Sequence, residues 1–262
     1  MDESDRLLPG LPCKRVQTEK RANILQLVGA IIGTVTMLML VAWTWPLFSA
    51  NIESTPTRNI EQTAAKSDKV LVELFVMSRC PDAVKVENVF SRVVPEVQSI
   101  IDVKLNFIAK LDPNATYGAQ CKHGDAECRG NIDEICGLRY GPDLTTSWWF
   151  LQCLNGQFEH IGKDRDLSLK CASSAGLDTA AFLACTEQAE GRELFKQSIE
   201  NTLFAGVKTS ATVYIDGKPR CVRDGEWRDC PGGYSSGDFI RDICAAYKGS
   251  LPPPTICDQY QT

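Results

Sequence analysis

Val70-Leu-Val-Glu-Leu-Phe-Val-Met77, followed by Ser78-Arg79-Cys80-Pro81-Asp82-Ala83, is the stretch from which the rest of the chain can be read. Its first eight residues are β-branched or apolar apart from Glu73, which predicts a buried strand. Beyond Pro81, apolar residues recur at Val86, Val89, Phe90, Val93 and Val97, the spacing of one helix face. Proline suits the first position of a helix, where its missing N–H would have had no partner. Cys80 is therefore expected where a strand hands over to a helix N-terminus. Partial positive charge at that end favours a thiolate, so Cys80 is a candidate nucleophile.

The chain of 262 residues has room for one sizeable domain plus appendages. A formal net charge of -5 with scattered Lys and Arg argues against nucleic acid as a partner. Two histidines, His123 and His160, make a multi-histidine metal site unexpected, and no metal ligands are assigned. No Gly-rich phosphate loop follows a strand, so no cofactor is implied. Of twelve cysteines, eleven lie after residue 79, a density that suits an oxidising compartment.

Ile24 to Phe48 contains no charged residue and is long enough to span a bilayer. Trp43 and Trp45 fit an interfacial aromatic belt, and Lys14, Arg15, Lys20 and Arg21 precede the run. The expected organisation is a cytosolic tail (1–22), a transmembrane helix (23–49), a flexible polar stalk (50–69) and a lumenal domain (70–258), in a single-pass type II membrane protein. A cleaved signal peptide competes through the small residues Ser49-Ala50, but the apolar run is too long and starts too late. Gly29 and Gly33 form a small-xxx-small pattern through which spans can dimerise. Glu3-Ser-Asp-Arg-Leu7-Leu8 matches an acidic dileucine sorting signal. Cys13 is either a palmitoylation site or an ordinary reduced thiol.

In the domain, Asp102-Val-Lys-Leu-Asn-Phe-Ile-Ala109 reads as a second strand, giving a βαβ start with parallel pairing. Asn114-Ala-Thr116 is its only N-glycosylation sequon. Then comes Cys121-Lys-His-Gly-Asp-Ala-Glu-Cys128-Arg-Gly-Asn131-Ile-Asp-Glu-Ile-Cys136. These spacings are not those of a zinc ribbon, and disulfides are the expected use. The segment resembles the hallmark of the gamma-interferon-inducible lysosomal thiol reductase family, Cys-Gln-His-Gly-x-x-Glu-Cys-x-x-Asn and a further cysteine, with Lys122 in place of the glutamine. The resemblance runs over roughly residues 70–257. It takes in Trp148 to Cys153, Cys171, Leu177 to Cys185, and Asp238 to Tyr247 with Cys244, then Cys257.

That resemblance implies an α/β, thioredoxin-like domain with a disulfide-braced helical insertion, into which helix patterns at Leu177–Ala189 and Leu194–Phe204 fit. Thr212-Val-Tyr-Ile-Asp-Gly217 reads as a strand returning to the sheet. Cys221 and Cys230 bracket a loop, Val222 to Asp229, and are expected to pair across a hairpin. The remaining disulfide candidates are Cys121, Cys128, Cys136, Cys153, Cys171, Cys185, Cys244 and Cys257. His123 is expected either to tune the site or to brace a loop, and Glu127 and Asn131 to hydrogen-bond around the disulfides. Trp148 and Trp149 are expected as a stacked pair in the core or lining a groove.

Two departures from the pattern fall on the active site. The family's site is Cys-x-x-Cys, whose second thiol resolves the mixed disulfide with substrate, and here that position is Ala83. Thioredoxin folds also place a cis-proline beside the nucleophile, and Lys208-Thr-Ser-Ala-Thr212 has no proline. Among eleven cysteines ten can pair, and Cys80 is the natural one left over. Asp82 is expected to oppose the thiolate. The reading is a thiol–disulfide oxidoreductase acting on protein disulfides in a lysosome, vacuole or endosome, with the endoplasmic reticulum and Golgi as other locations. Resolution then falls to an external small thiol, a neighbouring cysteine or the substrate, and Cys80 is a second route to a homodimer beside Gly29 and Gly33. The rival is a redox-inactive, membrane-anchored thioredoxin-like binding or chaperone module. A purely structural disulfide-braced ectodomain ranks third.

Overall fold

The structure, a computed structural model, describes residues 68–260. The tail with Glu3, Leu7 and Leu8, the span 23–49 with Gly29 and Gly33, and the stalk up to residue 67 lie outside the described residues. Among the described residues no helix is long and apolar enough to cross a membrane.

Strand β1 (Val70–Val76) and helix α1 (Pro81–Val97) occupy the deciding stretch. Val72, Leu74, Phe75 and Val76 are fully buried, as are Val86, Phe90, Val93 and Val97 along one face of α1. The chain returns as β2 (Ile101–Phe107), parallel to β1 from Val70 opposite Ile101 to Val76 opposite Phe107. A parallel neighbour needs a crossover, and α1 is that crossover. Strands β3 (Lys110–Leu111) and β4 (Ala119–Gln120) form a separate antiparallel pair. Asn114 is exposed in the turn between them.

Five helices follow: α2 (Asp125–Tyr140), α3 (Leu144–Asn155), α4 (Arg165–Ala175), α5 (Thr179–Glu187) and α6 (Ala189–Ala205). The sheet then resumes with β5 (Thr212–Ile215), β6 (Lys218–Asp224) and β7 (Glu226–Arg228), before α7 (Ser236–Ala246). Strand order is β2-β1-β5-β6-β7, with β5, β6 and β7 each antiparallel to the strand before it in that order. One parallel pair joined by a helix, then antiparallel strands and a closing helix, is the thioredoxin-like arrangement. The five-helix insertion separates its two halves.

Aromatic contacts join these parts. Phe90 of α1 packs on Phe239 of α7 with ring centroids 5.0 Å apart, and Phe107 of β2 meets Phe195 of α6 at 5.8 Å. Disulfides brace the insertion: Cys121–Cys128 at its entry, Cys136–Cys185 between α2 and α5, and Cys153–Cys171 between α3 and α4. Cys221–Cys230 and Cys244–Cys257 staple the C-terminal part.

Some local expectations change. Val222 to Asp229 is no loop, because β6 and β7 pair from Val222–Arg228 to Asp224–Glu226 around Gly225, whose φ of 75° suits the turn. The helix pattern Leu177–Ala189 stops at Glu187, where Gln188 is extended, and α6 starts at Ala189 rather than Leu194. Gly191 allows that sharp corner, since a Cβ there would lie 2.5 Å from the Cys185 carbonyl oxygen. Trp148 and Trp149 are not a stacked pair. Neighbours on a helix point about 100° apart, so Trp148 is buried, donating its indole N–H to the Glu87 carbonyl at 3.1 Å, while Trp149 is exposed.

Candidate active site

Cys80 is the N-cap residue of α1, extended at φ -100°, with Pro81 next in line. No side chain hydrogen-bonds to the first-turn amides of α1, so the positive end of the helix is left to the Cys80 position. The turn before it closes through Cys80 N–H donating to the Met77 carbonyl at 2.9 Å. Cys80 is the unpaired cysteine among the described residues; its side chain is 9% exposed, at the wall of a cavity of about 700 Å³.

The cysteine signature holds this turn in place. Asn131 Oδ1 accepts from Ser78 N–H at 2.9 Å, and Ser78 Oγ donates to the Glu127 carbonyl at 3.1 Å. Asn131 Nδ2 faces Cys121 Sγ at 3.7 Å. Gly130 permits the approach, because a Cβ there would stand 2.6 Å from Ser78 Oγ and 2.5 Å from Ile161 Cγ2. Arg79 reaches across to the insertion and donates to the Ile161 carbonyl at 2.8 Å. The fully buried Glu127 carboxylate accepts the His123 backbone N–H at 3.2 Å and contacts its Nδ1. Glu127 and Asn131 thus tie the β1–α1 turn to the disulfide-bearing loop.

The cavity brings together separate parts of the chain, among them Cys80 from the β1–α1 turn, Lys110 of β3, Cys121 and His123 from the loop before α2, Ser210 from the segment before β5, and Asp224 of β6. In place of a proline, Ser210 and Ala211 lead into β5, with Ala211 at φ 64°. Asp82 does not stand as a bare charge beside Cys80. Its carboxylate contacts Arg223 Nε at 3.1 Å and accepts the Gly225 N–H at 2.9 Å. That pairing across to the β6–β7 hairpin joins residues 143 apart in sequence for its Gly225 hydrogen bond, and no local motif announces it. Ala83, where a second thiol would stand, is 1% exposed.

Behind the site lie buried carboxyls that the sequence reading did not single out. Glu87 of α1 is pushed up to about 7 by burial, against a hydrogen bond from Asn155 that pulls the other way. Glu134 of α2 is raised well above the ordinary range, first by burial and then by Glu87, Asp133 and Glu127. Asp133 is raised by burial despite its contact with Arg129 at 2.9 Å. The available signal was the run Asp133-Glu134 inside an otherwise helix-buried segment.

Residues 71–175 match the family model described as gamma interferon inducible lysosomal thiol reductase. Over that stretch the chain is similar to this family. A relative from Arabidopsis thaliana, the gamma-interferon-responsive lysosomal thiol protein, is 24% identical over 208 residues, covering 74% of this chain and 78% of its own. The gamma-interferon-inducible lysosomal thiol reductase of Carassius auratus is 25% identical over 192 residues, covering 70% of each. Among solved structures, reduced DsbA1 from Neisseria meningitidis is similar with a TM-score of 0.46 and 17% identity, over 69% of this chain and 85% of that one. MdbA of Corynebacterium diphtheriae, a thiol-disulfide oxidoreductase, gives a TM-score of 0.45 and 18% identity, over 62% and 82%. This chain keeps the signature from Cys121 to Cys136, with lysine at position 122, and carries alanine at position 83.

Proposed function

We propose that this protein is a thiol–disulfide oxidoreductase acting on protein disulfides, with Cys80 as its single nucleophile. The observation that carries the reading is Cys80 itself, unpaired while ten other cysteines form five disulfides, capping α1 at the wall of a cavity. A thiolate there attacks a client disulfide, and the thiol that releases the product comes from outside the motif. The charge-free run Ile24 to Phe48 supports a single membrane span with a cytosolic N-terminus. The names of the relatives, the dileucine pattern and the exposed sequon at Asn114 support a glycosylated domain in a lysosomal, vacuolar or endosomal lumen.

Ala83 favours a second reading, a thioredoxin-like module that binds clients without exchange. Insulin reduction by the full chain with a small thiol as electron donor separates the two. Cys80→Ser is expected to abolish the reduction and the thiol-sensitive adducts with client. Equal reduction by wild type and variant would remove Cys80 from the chemistry, and client binding without any adduct would establish the module.

A further inference from the structure

We propose that the Cys80 cavity is a binding site for a low-molecular-weight thiol carrying carboxylate groups, which serves as the resolving thiol that position 83 does not supply. The inference rests on Cys80 being the nucleophile and names its co-substrate. Lys110 of β3, Lys122 before α2 and Lys208 before β5 line the cavity from three different parts of the chain, and none has a carboxylate within salt-bridge reach among the described residues. The two aspartates on the same cavity are already matched, Asp82 by Arg223 and Asp224 by Arg228. His123 is matched by Glu127. The cavity is therefore left with unmatched positive charge. Lys122 is also the position at which the signature departs from the family's glutamine.

A second, independent observation points the same way. Ser210 lines this cavity at 9% exposure, and its hydroxyl has no hydrogen-bond partner. A buried hydroxyl without a partner is costly, and a polar ligand group in the cavity would satisfy it. A volume of about 700 Å³ falls in the range of small-ligand clefts, which favours a small thiol over an acidic client segment.

The chemistry closes without a second protein cysteine. The Cys80 thiolate attacks a client disulfide, forming a Cys80–client bond and releasing one client thiolate. The small thiol, as thiolate, attacks the Cys80 sulfur; the Cys80–client bond breaks and the second client sulfur leaves. Cys80 now carries the small thiol. A second small thiol attacks the sulfur of the bound one, forms the small-molecule disulfide and restores the Cys80 thiolate. Two small thiols lose two electrons and two protons, and the client disulfide gains them.

The test uses the full chain with Cys13→Ser, so that Cys80 is the only unpaired cysteine, loaded with thionitrobenzoate from Ellman's reagent. Release of thionitrobenzoate is timed with glutathione and with its diethyl ester, each rate divided by that on a thionitrobenzoate-blocked cysteine peptide. Glutathione is expected to be roughly ten-fold faster than the ester after this correction. The advantage should shrink as salt is raised. Lys122→Gln with Lys208→Gln should abolish the advantage, and Lys122→Glu with Lys208→Glu should reverse it. Equal corrected rates on wild type would overturn the anionic co-substrate while leaving Cys80 as nucleophile. A preference seen with an acidic peptide thiol but not with glutathione would assign the lysines to client binding and overturn it too. Failure of the folded chain to take the label at all would instead sink the Cys80 reading beneath it.

Discussion

The Asn131 side chain joins two loops by accepting from Ser78 N–H, 53 residues away in sequence, and presenting its amide to Cys121 Sγ. Ser78 is buried, so Asn131→Ala would leave a backbone donor without a partner just before Cys80. That change is expected to cost about 1–3 kcal/mol of stability, measured by denaturant unfolding. An unchanged midpoint would mean that the turn is held by Glu127 and Arg79 alone. Asp82 and Arg223 act on the neighbouring side of Cys80. Removing the guanidinium with Arg223→Ala leaves the Asp82 carboxylate nearer to a bare charge beside the thiol. Alkylation of Cys80 at neutral pH is then expected to slow about three-fold, and Asp82→Ala to reverse the loss, because a nearby anion disfavours the thiolate. Both rates follow from mass-spectrometric counting of the labelled Cys80 peptide.

At the scale of elements, the disulfides divide by the length of chain that they close. Cys136–Cys185 spans 49 residues and clamps α2 to α5, whereas Cys121–Cys128 spans seven at the insertion's entry. On a loop-entropy argument the first contributes on the order of 4 kcal/mol and the second about 2.5 kcal/mol. Replacing both members of each pair with alanine should therefore lower the melting temperature more for Cys136/Cys185. The reverse order would mean that the short bridge holds the site loop against strain. Much of this architecture is legible in the sequence, because β1, α1 and β2 obey strict periodicity and cysteine arithmetic leaves Cys80 over. What is not legible arises from long-range placement. Nothing near Asp82 signals that a hairpin beginning at Lys218 will neutralise it, and nothing near Ser210 marks it as lining the same cavity as Cys80. The β6–β7 hairpin is hidden for a different reason: its short, charged strands, Lys218–Asp224 and Glu226–Arg228, carry little apolar alternation.

For the molecule as a whole, the buried carboxyls of α1 and α2 set how stability depends on pH. Both oxygens of Glu134 and one of Glu87 are buried with no hydrogen-bond partner, so burial disfavours the charged form of each. Because burial raises both groups in the folded state, the folded chain holds protons that the unfolded chain releases at ordinary carboxylate pH. The stability linked to them is complete below that range and is lost as pH rises, for Glu87 through about 7. Asp133 adds in the same direction, since burial outweighs the pull of Arg129. The melting temperature is therefore expected to be higher at about pH 5 than at about pH 7.5. Glu134→Gln, which keeps the shape and removes the titration, should flatten that dependence and stabilise the protein most at the higher pH. A melting temperature that climbs steadily across this window in the wild type would mean that the two glutamates are not held protonated. The expected slope makes the domain most robust in an acidic lumen, the compartment proposed for it, and least so in a neutral one.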